Sequence, residues 1–269
     1  MKIAGLAAVL AVAAAALLGP AAPARAQPGD STIVDAREAV RQKNRPRLAA
    51  LKVQAAGHPL AMWVDYWELG NRLNEATVDE VEAFYTRWSG TYVEDRLRND
   101  WLLELGRRRD WANLARDFPR FRMNDDREVT CYALLTQHLA GQDVRAAARS
   151  AWLAQRDLDD GCNLLATTLF QARQLQAEDA WQAARLAIEF NRPRVLRAAM
   201  ALVQPGSEKL ATEVLDSPAR VVAGKPAGPE VAALALARMA WNDPRGGRHR
   251  SRRNGSGACR TRRPPGSGR

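Results

Sequence analysis

Helix starts recur at an almost constant spacing along this chain, and that spacing limits what the chain can fold into. The first helices of successive pairs begin at about Thr77, Asp110, Asp143 and Glu178, with spacings of 33, 33 and 35 residues. The second helices begin at about Thr91, Asp125 and Asp159, with spacings of 34 and 34 residues. Each pair in such a repeat buries its apolar face only against its neighbours. The sequence therefore predicts an all-α fold without strands, an irregular α-solenoid or superhelix of helical hairpins with a period of about 33–35 residues.

The segment from Thr91 to Pro119 shows one such pair of helices. Apolar residues recur every four positions at Val93, Leu97, Trp101 and Leu105. Charged and amide residues fill other positions, at Glu94, Asp95, Arg96, Arg98, Asn99, Asp100 and Glu104. This pattern predicts an amphipathic helix with one solvated face, begun by a capping box between Thr91 and Glu94. A second helix should run from Asp110 to Pro119, which cannot continue the helical hydrogen bonding.

The N-terminus has the pattern of a secretory signal peptide. Lys2 precedes an uncharged run from Ile3 to Leu18, and residues 24–26 form an Ala-Arg-Ala cleavage site before Gln27. The alternative is a membrane anchor, but a spanning helix needs roughly 20 apolar residues. We therefore expect residues 1–26 to be removed and the remaining chain to be exported to the periplasm, an oxidising compartment.

Charge is distributed unevenly between the body of the chain and its end. The formal net charge is +10, yet residues 245–269 contain nine arginines and no Asp or Glu. Residues 27–244 contain 29 basic and 30 acidic residues, a net charge of −1. The superhelical domain expected over 27–244 is therefore nearly neutral, and the high overall pI does not indicate a nucleic-acid partner for it.

The Arg/Gly-rich segment 245–269 contains no Leu, Ile, Val, Phe, Trp or Met. It cannot bury apolar surface, so we expect it to be disordered. Such tails can bind the phosphates of nucleic acid, but an exported chain rarely meets nucleic acid. A second interpretation is a solvated tail that contacts anionic envelope polymers. We favour a third interpretation, a slip of the reading frame near Pro244, because the change in composition is abrupt. The DNA that follows the codon for Pro244 would distinguish these alternatives.

Two of the three cysteines lie at related positions in the repeat. Cys131 follows the helix start at Asp125, and Cys162 follows the helix start at Asp159. These helices occupy corresponding places in successive hairpins and should pack side by side, so an exported chain is expected to form a Cys131–Cys162 disulfide. The alternative is two unpaired cysteines that pack as small apolar residues. Cys259, in the tail, is left without a partner.

No residue pattern indicates a catalytic, cofactor or metal site. The only histidines are His58, His138 and His249, and a zinc site needs three or four convergent ligands. The carboxylate pairs at 125–126 and 159–160 lie at helix starts, where they cap N–H groups. Arg107 to Arg109 suit a helix C-terminus, with a patch for anionic polymer as the alternative. The eight tryptophans fall mostly on apolar stripes, so they are expected in the core and could stack on sugars only where the structure exposes them.

Several of these features occur together in one known family. They are the signal peptide, the segment HPLAMWVDYWELGNRL at 58–73, the segment LRNDWLLELGRRRDWANLARDFP at 97–119, and cysteines where the family places a disulfide. In this combination, over roughly residues 30–244, the chain resembles the N-terminal superhelical domain of the soluble lytic murein transglycosylases. The resemblance implies an α-superhelix from a periplasmic enzyme that cleaves peptidoglycan glycan strands.

The family's catalytic motifs do not occur in this sequence. The resemblance implies a lysozyme-like domain with a catalytic Glu followed by Ser, a G-L-M-Q-like segment and an A-Y-N-A-G-like segment, and the chain contains no Glu-Ser or Met-Gln pair. We therefore expect a part of the enzyme that lacks the catalytic domain, has no cofactor and is inactive alone.

Two functions remain open at this stage. The first is a superhelical part that contacts glycan strands weakly through a concave face, with other cell-wall proteins as further candidate partners and no contact with nucleic acid or membrane. The alternative is a stand-alone periplasmic helical-repeat scaffold that binds a protein partner.

Truncation after Pro244 should leave the thermal midpoint of unfolding unchanged, because the removed segment has no apolar side chain larger than Ala, Cys or Pro. Differential scanning calorimetry of the full and truncated chains checks this. A drop of several degrees would show that the tail docks on the folded body.

Overall fold

The computed structural model describes residues 29–224 and 228–242. Over these ranges the chain forms fourteen α-helices, one short 3-10 helix and no strand, which confirms the all-α prediction. None of the described helices is long and apolar enough to cross a bilayer. The predicted signal peptide, 1–26, and the predicted tail, 245–269, lie outside the described residues. The chain divides into two compact units after Arg72.

The first unit contains three short helices. They are α1 (Asp30–Arg41), α2 (Arg45–Gln54) and α3 (Ala61–Gly70). Its core consists of the buried residues Ile33, Ala36, Ala39, Leu48, Leu51, Ala55 and Val64. Lys52 lies beside this core and pairs with Asp65 at 3.2 Å and Glu68 at 2.9 Å, so the ammonium group joins α2 to α3.

The second unit contains the remaining helices. They are α4 (Val78–Arg87), α5 (Tyr92–Arg108), α6 (Trp111–Asp117), the 3-10 helix (Phe118–Arg120), α7 (Arg127–Leu139), α8 (Arg145–Leu153), α9 (Asp160–Gln171), α10 (Ala177–Glu189), α11 (Pro193–Val203), α12 (Glu208–Asp216), α13 (Pro218–Ala223) and α14 (Pro229–Asn242). The first helices of successive pairs, α4, α6, α8 and α10, start 33, 34 and 32 residues apart. Their partners α5, α7, α9 and α11 start 35, 33 and 33 residues apart. The predicted repeat of helical hairpins is confirmed.

Side-chain caps fix where several of these helices begin. Thr77 forms a full capping box with Glu80 before α4, and Thr91 accepts a hydrogen bond from the Glu94 N–H at the start of α5. The cap of α7 is Asp126 rather than the predicted Asp125, since the Asp126 carboxylate accepts hydrogen bonds from two N–H groups of the first turn. Cap residues leave few backbone donors unpaired, which explains the sharp helix starts.

Helix α5 differs from the prediction of one buried and one solvated face. The apolar stripe is buried as expected, but the polar residues Glu94, Asp95, Arg98, Asn99 and Glu104 are buried as well. The reason is packing, because α4, α6, α7 and α9 all contact α5 and cover more than one side of it. The predicted solvated face of α5 is therefore wrong for these five residues.

Helices α5 and α9 both pack closely against α7 near Tyr132. A Cβ at Gly106 of α5 would lie 2.3 Å from the Tyr132 ring, and a Cβ at Gly161 of α9 would lie 2.7 Å from the Glu128 backbone oxygen. Real Cβ atoms do not come this close to other heavy atoms. Only glycine at these two positions lets the three helices pack at the observed separation.

A disulfide joins corresponding helices of two successive hairpins. Cys131 of α7 and Cys162 of α9 are both fully buried, and their Cα atoms lie 4.9 Å apart. This separation falls in the range of about 4.4–6.8 Å that a disulfide bridges. The bond lies inside the large apolar core of the second unit, among Leu135, Leu165 and Ala166.

Replacing both Cys131 and Cys162 with alanine should lower the free energy of unfolding by about 3–4 kcal/mol, because the bond closes a loop of about 30 residues in the unfolded chain. Urea denaturation with and without reductant measures the difference, and Cys259→Ala is the matched control. The denatured, unreduced chain should show one reactive thiol, that of Cys259. Three reactive thiols together with an unchanged midpoint would contradict the bond.

Candidate functional site

A buried network of charged side chains surrounds Arg98 of α5. Only 1% of Arg98 is exposed to solvent. Its guanidinium contacts the Asp117 carboxylate of α6 and donates a hydrogen bond to Glu94 at 2.6 Å. The Arg98 Cζ also lies 3.9 Å from the centroid of the Tyr85 ring of α4, and the Tyr85 hydroxyl donates to Asp117 at 3.0 Å. One side chain therefore connects three helices.

The network extends into the loop that precedes α7. Its charged members are four carboxylates and three guanidinium groups, from Glu82, Glu94, Asp95, Asp117, Arg98, Arg120 and Arg122. The Asp95 carboxylate accepts hydrogen bonds from the backbone N–H of Arg122 at 3.0 Å and of Met123 at 2.6 Å. Each of these charged groups is paired within the network, so the network holds the hairpin together rather than presenting charge to a ligand.

Burial and the neighbouring groups shift the pKa values of two members of this network, Glu94 and Tyr85, in opposite directions relative to neutral pH. Burial alone would raise the pKa of Glu94, but hydrogen bonds from the Gly90 N–H and the Arg98 guanidinium outweigh it and hold this pKa below its ordinary value. Burial raises the pKa of Tyr85 well above its ordinary value, and the Asp117 carboxylate acts in the same direction. At neutral pH Glu94 is therefore charged and Tyr85 protonated, which does not suit proton exchange.

A second polar cluster forms where the starts of α7 and α9 meet. Asp126 accepts hydrogen bonds from the N–H of Glu128 at 2.9 Å and of Val129 at 3.2 Å. Asp159 accepts a hydrogen bond from the Cys162 N–H at 2.7 Å. These carboxylates cap helices, as the sequence predicted for acidic residues at helix starts.

Glu128 is the glutamate of this cluster, and its raised pKa is the property that a proton donor needs. Burial raises its pKa, the nearby Asp159 and Asp126 carboxylates raise it further, and a hydrogen bond from the Gly161 N–H at 3.3 Å opposes them. Burial also raises the pKa of Asp159. The pKa of both carboxyls is raised although they lie at helix starts, because the two helix starts pack against each other and exclude water.

The three consecutive arginines at the end of α5 are paired inside the second unit. Arg107 and Arg108 both contact Glu104, each at 2.8 Å. Arg109 contacts Asp160 at 2.9 Å, and this pair together with the Tyr132 hydroxyl keeps the pKa of Asp160 low despite its partial burial. All three guanidinium groups are therefore held by ion pairs, and a patch for anionic polymer at this position stays a prediction.

The histidines do not form a metal site in the described part of the chain. The Nε2 atom of His58 lies 3.0 Å from the Asp30 carboxylate, and its Nδ1 atom accepts the Leu60 N–H at 3.1 Å. His138 lies in the last turn of α7, and His249 lies outside the described residues. Over the ranges 29–224 and 228–242, no group of three or more His, Cys, Asp or Glu residues is placed to hold a metal ion.

One groove lies on the second unit between α6 and α7. Its volume is about 220 Å³, and it is lined by Leu114, Ala115, Phe118, Pro119, Ala133, Thr136, Gln137, Ala140 and Gln142. No charged side chain lines this groove. A neutral, mixed lining offers neither a general acid nor an anchor for a charged ligand.

A second groove, which we call the indole groove, lies on the first unit between α1 and α3. Its volume is about 350 Å³ and it is lined by Ile33, Val34, Arg37, Leu60, Trp63 and Trp67. Val34 is 68% and Leu60 42% exposed, so both offer apolar surface at the mouth of the groove. Trp63 and Trp67 are partly buried, and both line the groove.

Sequence reasoning missed the central arginine and the charged residue of the indole groove. Glu94 and Arg98 are spaced i and i+4 on one helix with opposite charge, a pattern equally typical of an exposed pair, so burial of Arg98 had no clear signal. Arg37 lies on α1 among other charged residues and becomes distinctive only when α3 packs beside it.

Replacing Arg98 with methionine should destabilise the chain by about 3–5 kcal/mol at pH 7, because buried carboxylates lose their counter-charge. The folded-state pKa of Glu94 is lowered, so its stabilising contribution is present above its unfolded pKa and is lost as the pH falls through the folded pKa. The difference in the free energy of unfolding between the wild type and the Arg98→Met variant should therefore become smaller as the pH is lowered. Urea denaturation between pH 3 and pH 8 measures this effect.

The matched control is Arg96→Met on the same helix, since the Arg96 side chain is 41% exposed in its 3.6 Å pair with Asp100. It should change stability by no more than about 0.5 kcal/mol. Equal effects of the two substitutions would show that Arg98 is not the centre of the network.

Several solved lytic transglycosylases have a fold similar to that of this chain. The 70-kDa soluble lytic transglycosylase in complex with bulgecin A matches with a TM-score of 0.58 and 17% identity, over 82% of this chain and 37% of that chain. Slt70 from Escherichia coli matches with a TM-score of 0.59 and 17% identity, over 82% of this chain and 37% of Slt70. An inactive mutant of lytic transglycosylase Slt from Pseudomonas aeruginosa matches with a TM-score of 0.55 and 24% identity, over 84% and 38%.

These likenesses establish the fold. No family model and no curated protein matches the chain. The chain spans less than two fifths of the length of the structures that it matches. The resemblance drawn from the sequence is confirmed at the level of structure, because most of this chain is similar in fold to a helical part of the soluble lytic transglycosylases.

Proposed function

We propose that this chain is the superhelical part of a lytic transglycosylase that acts on peptidoglycan, and that it holds glycan strands for cleavage. The observation that carries the proposal is the fold match over 82% of the chain to soluble lytic transglycosylases. This match favours the first of the two functions that the sequence left open over a stand-alone scaffold for a protein partner.

The described residues support binding rather than cleavage. Cleaving a glycosidic bond needs a carboxylic acid that stays protonated next to the bond, in a groove that orients the sugar. Neither the α6–α7 groove nor the indole groove is lined by a carboxylate. Glu128 has a raised pKa, but the Gly161 N–H binds one of its oxygens and the capping residues Asp126 and Asp159 surround it. We therefore assign to the described residues a role in binding.

Export to the periplasm forms part of the same proposal. It is supported by the uncharged run and Ala-Arg-Ala site within residues 1–26 and by the Cys131–Cys162 disulfide, since such bonds persist in oxidising compartments. Peptidoglycan lies in that compartment, so the chain and its proposed ligand would meet there.

The purified chain should co-sediment with peptidoglycan sacculi at low salt without releasing soluble anhydro-muropeptides. Binding is expected because glycan strands are the proposed ligand, and cleavage is not expected because no carboxylic acid lines either groove. Sedimentation followed by mass spectrometry of the supernatant measures both outcomes, with boiled protein as the control.

Failure to bind sacculi at low salt would overturn the proposed function. Release of muropeptides above the boiled control would overturn the division between binding and cleavage. In that case Glu128→Gln is the first substitution to examine, because the Glu128 carboxyl has a raised pKa and Gln keeps its shape.

A further inference from the structure

The indole groove has a rigid aromatic wall. Trp63 and Trp67 lie one helical turn apart on α3, with ring centroids 6.3 Å apart and planes inclined by 36°. The Tyr66 ring meets Trp63 edge-on at 6.0 Å, and Trp67 packs against the core of the first unit. Aromatic side chains held in this way lose little conformational entropy when a ligand binds. The flat apolar face of a sugar ring is a suitable partner for such a wall.

Arg37 is the single charged residue of the groove lining. It extends from α1, opposite the tryptophans of α3, and it is exposed. Among the described residues it makes no hydrogen bond or ion pair, unlike Arg107, Arg108 and Arg109. A guanidinium with all its donors available binds carboxylates in bidentate fashion. The groove therefore combines an apolar platform with one unpaired positive charge.

We propose that the indole groove is a binding site for an anionic amino sugar, a peptidoglycan unit whose lactyl-linked peptide carries a free carboxylate. The tryptophans contact the sugar face, and Arg37 binds the carboxylate. The volume of about 350 Å³ lies near the lower end for small-ligand sites and suits one or two sugar rings rather than a long strand. This inference rests on the proposed function, because that function supplies the class of ligand.

Charge complementarity distinguishes this ligand from an apolar segment of a protein partner. An apolar helix face laid into the groove would cover Arg37 without supplying a counter-charge, and burying an unpaired charge is costly. A neutral chitin oligosaccharide would contact the indoles but leave Arg37 in water. An anionic amino sugar satisfies both parts of the lining.

The test measures binding of two probes to the full chain by isothermal titration calorimetry at low salt. The probes are muramyl dipeptide, which is anionic, and N-acetylchitotriose, which is neutral. Arg37→Glu should weaken muramyl dipeptide binding by at least about tenfold, because a charge-assisted contact becomes a repulsion. The same substitution should change chitotriose binding by less than about twofold, since no charge is involved. Trp63→Leu should weaken binding of both probes.

The matched controls lie in the second unit. Arg116→Glu replaces an exposed arginine that has no ion pair among the described residues, and Trp241→Ala removes a tryptophan that is 49% exposed. Both should bind the probes as the wild type does. Circular dichroism checks that each variant is folded. If Trp63→Leu does not fold, the surface substitution Arg37→Glu alone tests whether the indole groove binds muramyl dipeptide.

Wild-type affinity for muramyl dipeptide in Arg37→Glu would overturn the inference, and so would failure of the wild type to bind either probe. Sedimentation with sacculi separates this failure from failure of the proposed function. If the wild type binds sacculi and Arg37→Glu binds them equally well, glycan binding stands and the indole groove is not its site. If the wild type does not bind sacculi, the proposed function itself fails.

Discussion

The ion network around Arg98 is the interaction on which the second unit depends. Removing a guanidinium and its carboxylate partners from water costs several kcal/mol per ion. Ion pairing and hydrogen bonding inside the protein offset this cost only when the partners are well placed. Three helices and one loop supply those partners here, so the contacts form only when α4, α5 and α6 are all in position. The Nε atom of Arg98 still has no hydrogen bond, and the nearest carboxylate, that of Asp95, lies 3.8 Å away. The network therefore favours one arrangement of these three helices.

The sequence predicted the repeat and most helix starts well because those signals are local. A capping threonine or aspartate acts on the first turn of its own helix, so Thr77, Thr91 and Asp159 could be identified without knowing the fold. The burial of Glu94 and Arg98 depends on which helices lie on either side of α5, and no periodicity within α5 contains that information. The one-residue error at Asp126 has a similar origin, since two adjacent aspartates can both cap and only the observed backbone selects one.

The candidate site shows the same division between local and tertiary information. The tryptophans of α3 were visible as aromatic residues, but the sequence could not determine whether they lie in the core or at a surface. The groove exists because α1 packs beside α3 and brings Arg37 opposite Trp63 and Trp67. The raised pKa of Glu128 likewise arises from two helix starts brought together by the fold. The sequence pattern therefore could not predict a groove or a pKa shift that arises where two helices pack together. The family resemblance could be found because it depends on patterns within single hairpins.

The disulfide has a consequence for the order in which the repeats open. In a solenoid each hairpin is held only by its neighbours, so the array frays from its ends, and amide hydrogens near the ends exchange first. The bond between Cys131 and Cys162 crosses from one hairpin to the next in the middle of the second unit, beside the close contact of Tyr132 with Gly106. When fraying reaches α7 or α9, the disulfide still holds these two helices together, because unfolding does not break a covalent bond. We therefore expect the amide hydrogens of these central hairpins to exchange slowly, and those of α12, α13 and α14 to exchange earlier.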